Sequence, residues 1–369
     1  MKEFTNGAEA IAHAALDAGC DFFAGYPITP ATAILLRMIE ELPKIGGVAI
    51  QGEDEIASIG FCVGAALTGA RAMTATSGPG ISLYSETIGL AIMGEVPLVI
   101  VNVQRMGPAT GGATTVSQGD IQFMRWGTGG GYPVIVLAPT NVSECYNLTR
   151  RAFDLAERFR VPVFVATDKE TVTSYTTVEQ SAYQDVPVRA RTLAPEQAEF
   201  VPYTFDESAA PMASYGGPHI VRFTGSSHDA RGYLTKAPGA VGQLNMHLAE
   251  KIEAHLDEIA LFEHDVQPGA ETLVISYGIA ANSARQAVQM ARIQGQGVSL
   301  LTIYSLWPVP EQAIRQALEG VRRVVVVELN LGQYRREIER VVCGQAAVSG
   351  VHRVDGDLIA PAEILEALR

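Results

Sequence analysis

Three adjacent carboxylates open an uncharged segment and are the first candidates for chemistry. Glu53, Asp54 and Glu55 precede residues 56–70, fifteen residues without a charged side chain. Asp54 as an N-cap, with a second acid beside it, would stabilise a helix start by about 0.3–1 kcal/mol per charge. That role does not require a third acid. A carboxyl group among apolar side chains is an effective proton donor or acceptor near neutral pH, so Glu55 is our candidate catalytic acid–base.

Two turns rich in glycine or proline could bring backbone atoms close to a ligand. Residues 76–80, TSGPG, end a strand pattern, and open α/β sheets bind ligands where their strands end. The turn contains neither GxxxxGK[ST] nor GxGxxG, so a simple tight turn is the alternative. Residues 25–30, GYPITP, place Thr29 before a helical pattern. Thr29 is therefore predicted either to cap that helix or to turn its hydroxyl to a ligand.

Arg105 is an isolated positive charge at the end of a strand pattern. It is the only basic residue between Arg71 and Arg125. One interpretation is an ion pair with Glu95 or Asp120, and the other is a guanidinium that binds a substrate carboxylate. The following residues, ATGGATTVSQGD, are small or hydroxylated, which is typical of a ligand-lining loop.

The periodic patterns predict how these residues are positioned. Helical patterns alternate with strand patterns over the first part of the chain: helices at 7–19, 30–42, 55–68, 82–92 and 141–157, and strands at 21–24, 48–51, 72–76, 97–103, 133–137 and 162–166. Strands separated by helices of this length indicate a parallel, doubly wound α/β sheet. We assign residues 1–169 to this first domain.

The rest of the chain predicts a connecting arm and a second, smaller domain. Residues 170–240 lose the alternating pattern and contain six prolines, so we interpret them as an arm whose aromatic residues pack against something. Residues 241–369 form a second doubly wound parallel unit in this interpretation. Its predicted elements are one long helix at 243–264, helices at 280–293 and 310–318, and strands at 272–278, 298–305 and 322–329.

Composition limits the possible partners and location. With 27 basic and 40 acidic residues the net charge is −13, which argues against nucleic acid and anionic membranes as partners. No apolar run is long enough to span a bilayer, and the N-terminus lacks a signal-peptide pattern, so we expect a cytoplasmic protein. The four cysteines are far apart and no HExxH occurs, so no metal site is predicted in this chain.

Together, these motifs resemble a known enzyme family. A glutamate that opens an Ala/Gly-rich helix, with TSGPG beginning twenty-one residues later, resembles the pyrimidine-binding half of thiamine-diphosphate enzymes. With GYPITP before it and VQRMGPATGG and QGD after it, the chain resembles the alpha subunit of 2-oxoacid:ferredoxin oxidoreductases, and the 2-oxoglutarate members best. The likeness continues through AERFRVPVFVATD, TGSSHD and ELNLGQ, and the second domain resembles a transketolase C-terminal domain.

The resemblance implies a role for each candidate residue. Glu55 corresponds to the catalytic glutamate that hydrogen-bonds the aminopyrimidine ring of thiamine diphosphate. Thr29 and Arg105 correspond to substrate-binding residues. The implied cofactor-binding residues are Tyr26, Pro27, Ile28, Thr29, Glu55, Ser77 and Gly78. The implied reaction is the CoA-dependent oxidative decarboxylation of 2-oxoglutarate to succinyl-CoA, with ferredoxin as the electron acceptor.

The same resemblance implies that this chain holds half of an active site. The family binds Mg²⁺ and the diphosphate through a GDG…N segment, whereas the only similar triplet, Asp355-Gly356-Asp357, is followed by twelve residues. The cysteines for an iron–sulfur cluster are also lacking. A beta subunit is therefore expected to supply the Mg²⁺ site and a [4Fe–4S] cluster, with the connecting arm as the candidate that embraces it. Longer members fuse a gamma-type domain to the alpha chain, so either a separate gamma subunit or a compact two-subunit form of the enzyme is expected.

Three other functions remain open from the sequence. A branched-chain 2-oxoacid or pyruvate enzyme is possible because residues 127–133, GTGGGYP, depart from the more polar 2-oxoglutarate pattern. A non-catalytic scaffold for the beta chain is the second alternative. A nucleotide-binding dehydrogenase is disfavoured because no GxGxxG motif occurs in the first domain.

Overall fold

The structure is a computed structural model that describes residues 2–197, 199–205 and 209–369. Two larger β-sheets organise the chain. The strands are β1 (Lys2–Thr5), β2 (Phe22–Gly25), β3 (Val48–Gln51), β4 (Ala72–Thr76), β5 (Leu98–Gln104), β6 (Ile135–Leu137), β7 (Pro162–Asp168), β8 (Thr176–Glu179), β9 (Phe262–Asp265), β10 (Thr272–Ser276), β11 (Val298–Ile303), β12 (Ser305–Trp307), β13 (Arg323–Glu328) and β14 (Ala347–His352). The α-helices are α1 (Gly7–Asp17), α2 (Thr32–Glu41), α3 (Glu55–Leu67), α4 (Pro79–Leu83), α5 (Ser85–Met93), α6 (Ile121–Trp126), α7 (Val142–Phe159), α8 (Lys169–Thr173), α9 (Pro238–Glu253), α10 (Leu256–Ile259), α11 (Ala280–Ile293), α12 (Glu311–Ala317), α13 (Arg335–Val342) and α14 (Pro361–Ala367).

The first sheet has seven strands in the order β12-β6-β7-β5-β4-β2-β3. All its pairings are parallel except that of β12 with β6. Strands β4, β5 and β7 are buried along their whole length, as expected where helices cover both faces of a parallel sheet. The predicted α/β, doubly wound class is confirmed. Because β5, β4 and β2 are neighbours, their carboxyl ends lie along one edge of the sheet.

The second sheet has five strands in the order β14-β13-β10-β11-β9. Strands β14, β13, β10 and β11 are parallel, which confirms the second predicted unit, and β9 is antiparallel to β11. The single long helix predicted at 243–264 is wrong. Helix α9 ends at Glu253, the short α10 follows, and Phe262 begins β9. Pairing of Phe262 with Ile303 at the edge of the sheet overrides the local helical pattern.

Two further elements differ from the sequence prediction. The helix predicted at 82–92 is divided into α4 and α5 at Tyr84. Strand β12 lies late in the chain but joins the first sheet, where Ser305 pairs with Leu137. The β12 strand thus ties the two parts of the chain together, while the domain bounds at residues 169 and 240 stay a prediction.

The connecting arm packs against the first domain of its own chain. The Arg191 guanidinium donates to the Ala66 carbonyl at 2.9 Å and forms an ion pair with Glu157 at 2.7 Å. Tyr203 is buried and lies with its ring centroid 4.1 Å from that of His228. The arm therefore has packing partners within this chain. Among the described residues, no helix combines the length and the apolar character needed to cross a bilayer.

Candidate active site

The ends of three neighbouring strands bring the predicted motifs together. Strand β2 ends at Gly25, before GYPITP; β4 ends at Thr76, in TSGPG; β5 ends at Gln104, before Arg105. In the β4–β5 ladder Thr76 lies opposite Asn102. Motifs separated by up to eighty residues in sequence thus share one edge of the first sheet.

Glu55 is the first residue of α3 and is buried, with 6 % of its surface exposed. Asp54 is the N-cap, since its carboxylate accepts a hydrogen bond from the Ala57 N–H at 2.7 Å, so the capping interpretation is confirmed for Asp54. Glu53 is exposed. The Glu55 carboxylate makes no hydrogen bond or ion pair with another side chain of the described residues. It is the one acid of the cluster that is both buried and available to a ligand.

The TSGPG turn lies directly against Glu55. A β-carbon on Gly80 would overlap the Thr76 hydroxyl and come within 2.9 Å of Glu55 Oε1. A β-carbon on Gly78, whose φ is +53°, would come within 2.6 Å of Arg105 Nε. Both glycines are therefore required by close packing, and this turn separates the Glu55 carboxylate from the Arg105 guanidinium.

Two side-chain hydroxyls of this turn are buried without hydrogen-bond partners. The hydroxyls of Thr76 and Ser77 have no exposed surface at the residue level and no hydrogen bond. An unsatisfied buried hydroxyl costs about 1–3 kcal/mol, so such groups persist where a ligand or water completes them. The turn has the character of a site for a flat, polar ligand.

Arg105 is 5 % exposed and joins two loops instead of forming the predicted ion pairs. Its Nη1 donates to the Thr29 carbonyl, and its Nη2 donates to the Thr110 carbonyl at 3.4 Å. Glu95 instead pairs with Lys251 at 3.0 Å. The Arg105 Nε–H is buried and has no acceptor, so the guanidinium still has donors to offer.

Thr29 is not a helix cap, so that interpretation of the sequence is wrong. Helix α2 begins at Thr32 with Ala31 as its N-cap, and the Thr32 N–H donates to the Ile28 carbonyl at 3.0 Å. Thr29 is exposed, as are Tyr26 and Pro27, whereas Ile28 is half-buried. Because its carbonyl holds Arg105, Thr29 lies beside the guanidinium on the open side of the site.

Two polar residues lie beside Arg105: the sequence reasoning named Asp120 only as a possible ion-pair partner and missed Asn102. Asn102 is fully buried in β5, and its Nδ2 donates to Asp120 Oδ2 at 3.0 Å while its Oδ1 has no partner. Burial raises the pKa of the Asp120 carboxyl to about 6, although the hydrogen bond from Asn102 and the charge of Arg105 act in the opposite direction. An asparagine inside the apolar strand LVIVNVQ was the signal that could have identified this pair.

Tyr84 is a third buried polar residue near Glu55. Its hydroxyl lies 2.7 Å from Thr74 Oγ1, and burial raises the pKa of the phenol well above its usual range, with the Glu55 carboxylate adding to the shift. The phenol is thus held in its neutral form at the base of the site.

The residues present fit part of a thiamine-diphosphate site. A buried acid, two unpartnered hydroxyls and a glycine turn suit the edge and face of an aminopyrimidine ring. Within the described ranges, no three His, Cys, Asp or Glu side chains are grouped so that they could hold a metal ion. The buried groups at this edge therefore fit the ring of the cofactor.

A separate cavity of about 1210 Å³ lies between the two parts of the chain. Its lining includes Trp126, Phe262 and Trp307. Neither Glu55 nor Arg105 lines it. The candidate site is therefore separate from this cavity.

Comparisons with known proteins agree with this geometry. Residues 13–238 match the family described as pyruvate flavodoxin/ferredoxin oxidoreductase, thiamine diphosphate-binding, and residues 270–364 match pyruvate:ferredoxin oxidoreductase core domain II. The 2-oxoglutarate synthase subunit KorA of Methanothermobacter thermautotrophicus is 42 % identical, over 99 % of this chain and 97 % of that one. KorA of Methanocaldococcus jannaschii is 40 % identical over 99 % of both chains. The ketoisovalerate oxidoreductase subunit VorB of M. thermautotrophicus is 36 % identical over 100 % of this chain and 97 % of that one.

Solved structures give the same result. The 2-oxoglutarate:ferredoxin oxidoreductase of Magnetococcus marinus, solved with 2-oxoglutarate, coenzyme A and succinyl-CoA, superimposes with a TM-score of 0.92 at 30 % identity; the match covers 100 % of this chain and 64 % of that one. A split-gene transketolase, at a TM-score of 0.57 and 13 % identity over 99 % of this chain and 97 % of that one, shares the fold. The chain therefore belongs to the family of 2-oxoacid:ferredoxin oxidoreductase subunits that includes 2-oxoglutarate synthase subunit KorA.

Proposed function

We propose that this chain is the alpha subunit of a thiamine-diphosphate-dependent 2-oxoglutarate:ferredoxin oxidoreductase. The complex would decarboxylate 2-oxoglutarate, transfer the succinyl group to CoA and pass the electrons to ferredoxin, in a reversible reaction. The identity to KorA along nearly the whole of both chains supports this substrate. The observation that carries the proposal is the buried Glu55 carboxylate, which has no side-chain partner and faces the TSGPG turn beside Arg105.

Glu55 is the proposed catalytic residue. When bound, thiamine diphosphate supplies the electron sink that decarboxylation of a 2-oxoacid requires. Glu55 would hold or give a proton at Oε1, against the edge of the aminopyrimidine ring. Ser77 and Gly78 would lie against the ring, with Tyr26, Pro27 and Ile28 on its open side. The apolar walls of α3 would exclude water from the carboxyl group.

Arg105 is the proposed binding group for the substrate's 1-carboxylate. Two of its N–H groups are occupied by the Thr29 and Thr110 carbonyls, which fix the guanidinium plane. The remaining N–H groups can bind a carboxylate in the fork geometry that arginine favours. Thr29 lies on the same side and would contact the substrate. The positive charge that binds the distal carboxylate of the substrate would lie on the partner subunit.

A beta subunit is the proposed partner that completes the site. Large apolar side chains are exposed around Glu55, among them Ile56, Phe61 and Leu83, at 54 %, 45 % and 44 % exposure. We assign the Mg²⁺ and diphosphate ligands and the [4Fe–4S] cluster to that subunit, because this chain's described residues group no metal ligands. Ferredoxin and CoA complete the set of partners, a separate gamma subunit is the further candidate, and the cytoplasm is the proposed location.

Reconstitution tests this function directly. The chain is co-purified with its beta partner, and CoA-dependent ferredoxin reduction is measured with 2-oxoglutarate, pyruvate and 2-oxoisovalerate. We expect 2-oxoglutarate to give the highest kcat/KM. A preference for pyruvate or 2-oxoisovalerate would replace the substrate in our proposal, and no turnover with any of the three would overturn the reaction.

A further inference from the structure

The loop that follows Arg105 is anchored by the second domain. Residues 106–120 leave the first sheet at Arg105 and return to it at Asp120, whose N–H donates to Gln104 Oε1 at 3.2 Å. Four glycines lie in this loop, and Gly107 and residues 108–111 are exposed. A loop of this composition has many accessible conformations, so its shape depends on outside contacts.

Gln118 makes the densest of these contacts. It is 1 % exposed, and its Nε2 donates to the Tyr277 carbonyl at 3.0 Å. Its Oε1 accepts from the Leu329 N–H at 2.9 Å, and its own N–H donates to the Leu329 carbonyl at 2.9 Å. The Gln118 carbonyl in turn accepts from Asn330 Nδ2 at 2.8 Å. Every polar group of Gln118 is thus bonded to the carboxyl edge of the second sheet.

Neighbouring residues repeat the same connection. Ser117 Oγ donates to the Leu329 carbonyl at 3.1 Å, and Gln333 Nε2 donates to the Gly119 carbonyl at 2.6 Å. The anchored stretch ends one residue before Asp120. Because Asp120 is placed next to Asn102 and acts electrostatically on Arg105, an anchored loop fixes the charge environment of the guanidinium.

We propose that Gln118 is a positioning residue through which the second domain holds the 106–120 loop, and with it Asp120 and Arg105, in the geometry that binds the 2-oxoacid. The inference rests on the proposed substrate role of Arg105. It assigns to the second domain a function in substrate binding. Gln118 itself touches neither substrate nor cofactor.

Kinetics of the reconstituted complex test this inference. In Gln118→Ala we expect KM for the 2-oxoacid to rise about tenfold or more while kcat changes less than about twofold, since chemistry at Glu55 is unaffected. The matched control is Asn282→Ala, which removes another hydrogen bond between the same domains, from Nδ2 to the Thr140 carbonyl at 2.8 Å. An equal KM change in both variants, or none in Gln118→Ala, would overturn the inference.

A measurement independent of activity accompanies the kinetics. Hydrogen–deuterium exchange of the complex should show faster exchange across residues 106–120 in Gln118→Ala, with α3 unchanged. If Gln118→Ala does not fold, the second variant is Gln333→Ala, which removes the partly buried hydrogen bond to the Gly119 carbonyl. This variant should give a smaller increase in exchange across residues 106–120. Unaltered exchange in the loop would refute the anchoring. An inactive wild-type complex would instead contradict the proposed function, and the exchange result would still decide the role of Gln118.

Discussion

The carboxyl edges of the two sheets differ in how their buried polar groups are satisfied. At the first edge Thr76, Ser77 and Asn102 are completely buried, yet each has an oxygen without a hydrogen bond. At the second edge the equally buried Tyr277 and Glu328 bond to each other at 2.7 Å. Both edges arise from parallel strands, where open sheets bind ligands. The comparison indicates that the first edge is suited to bind a ligand, whereas the second edge stabilises the fold.

The exceptions at the second edge agree with this distinction. His352 Nε2 and Arg335 Nε also lack hydrogen bonds, but their side chains are 21 % and 33 % exposed. The two nitrogen atoms are themselves buried, but each lies near a carboxylate: His352 Nε2 is 3.7 Å from Glu328 Oε1, and Arg335 Nε is 3.3 Å from Glu339 Oε1. A buried donor or acceptor costs about 1–3 kcal/mol when it is unpaired. Unpaired groups concentrated at one edge therefore identify the place where a bound ligand would form the missing hydrogen bonds.

The largest effect is expected for Glu55→Gln at the first edge. The amide cannot exchange a proton at Oε1, so turnover of the reconstituted complex should fall by about 10²–10⁴-fold. Stability should change little because the carboxylate has no side-chain partner to lose. The control is Glu53→Gln, an exposed neighbour that should retain wild-type turnover. Near-normal turnover in Glu55→Gln would favour the scaffold interpretation.

Arg105→Lys should have the next largest effect. Lysine cannot donate to the Thr29 and Thr110 carbonyls and bind a carboxylate in a fork at the same time, so KM for the 2-oxoacid should rise about 10–100-fold. Steady-state kinetics with saturating CoA and ferredoxin measure this change. Arg37→Lys, in a partly exposed ion pair with Glu40, is the control and should not alter KM. An unchanged KM in Arg105→Lys would remove Arg105 from the substrate site.

Glu328→Gln should affect stability instead of turnover. The Glu328 carboxylate accepts from Tyr277 OH and from the Tyr334 and Arg335 N–H groups, so its loss should cost about 1.5–3 kcal/mol of unfolding free energy. Urea unfolding of the chain measures this cost, with Glu339→Gln as an exposed control. A large fall in kcat without loss of stability would contradict the supporting role of the second edge.

Alanine substitutions at two glycines should change the stability of the chain in opposite directions. In Gly80→Ala the β-carbon would overlap the Thr76 hydroxyl and approach Glu55, so stability should fall by about 1–3 kcal/mol and turnover should fall with it. In Gly60→Ala, on the exposed face of α3, nothing lies within 4 Å, and the chain should gain about 0.4–1 kcal/mol. Urea unfolding of both variants tests the pair. Equal effects would show that the turn does not pack as described.

The effect expected for Asp120→Asn depends on pH. The pKa of Asp120 is raised by burial to about 6, so the folded state favours the protonated acid and ionisation becomes increasingly costly between about pH 4 and pH 6. Asparagine removes this cost. The variant should therefore exceed the wild type in stability by up to about 2 kcal/mol above pH 7, with the difference vanishing near pH 4. A difference that does not vary with pH would contradict the raised pKa.

Local signals correctly predicted several structural features around the candidate site. Asp54 was predicted as a cap because its carboxylate precedes an uninterrupted helical pattern, and it accepts the Ala57 N–H. Glu55 follows at the first helical position, where its burial depends on the apolar segment behind it. The alternation of strands and helices was enough to predict two parallel sheets. These features depend on neighbours within a few residues, which sequence patterns record well.

Other features depended on partners far away in the chain. Residues 262–264 were predicted as helix but lie in β9, because β11 offers an edge to pair with. Residues 305–307 join the sheet of the other domain as β12. Thr29 looked like a cap but contributes its carbonyl to Arg105, 76 residues away. No local sequence pattern determines which sheet edge a strand pairs with or which guanidinium a carbonyl group binds.

The sequence alone determined that one acid begins an apolar helix, that two turns each follow a strand, and that a single arginine ends another strand. Only the tertiary structure decided that these pieces meet, because the order β5-β4-β2 is set by sheet packing between distant segments. It also decided that Gln118 is bound by Leu329, 211 residues later in the chain. The sequence fixes which reactive side chains are present. The distances between them, and which of their hydrogen-bonding groups stay unpaired, depend on which elements pack together.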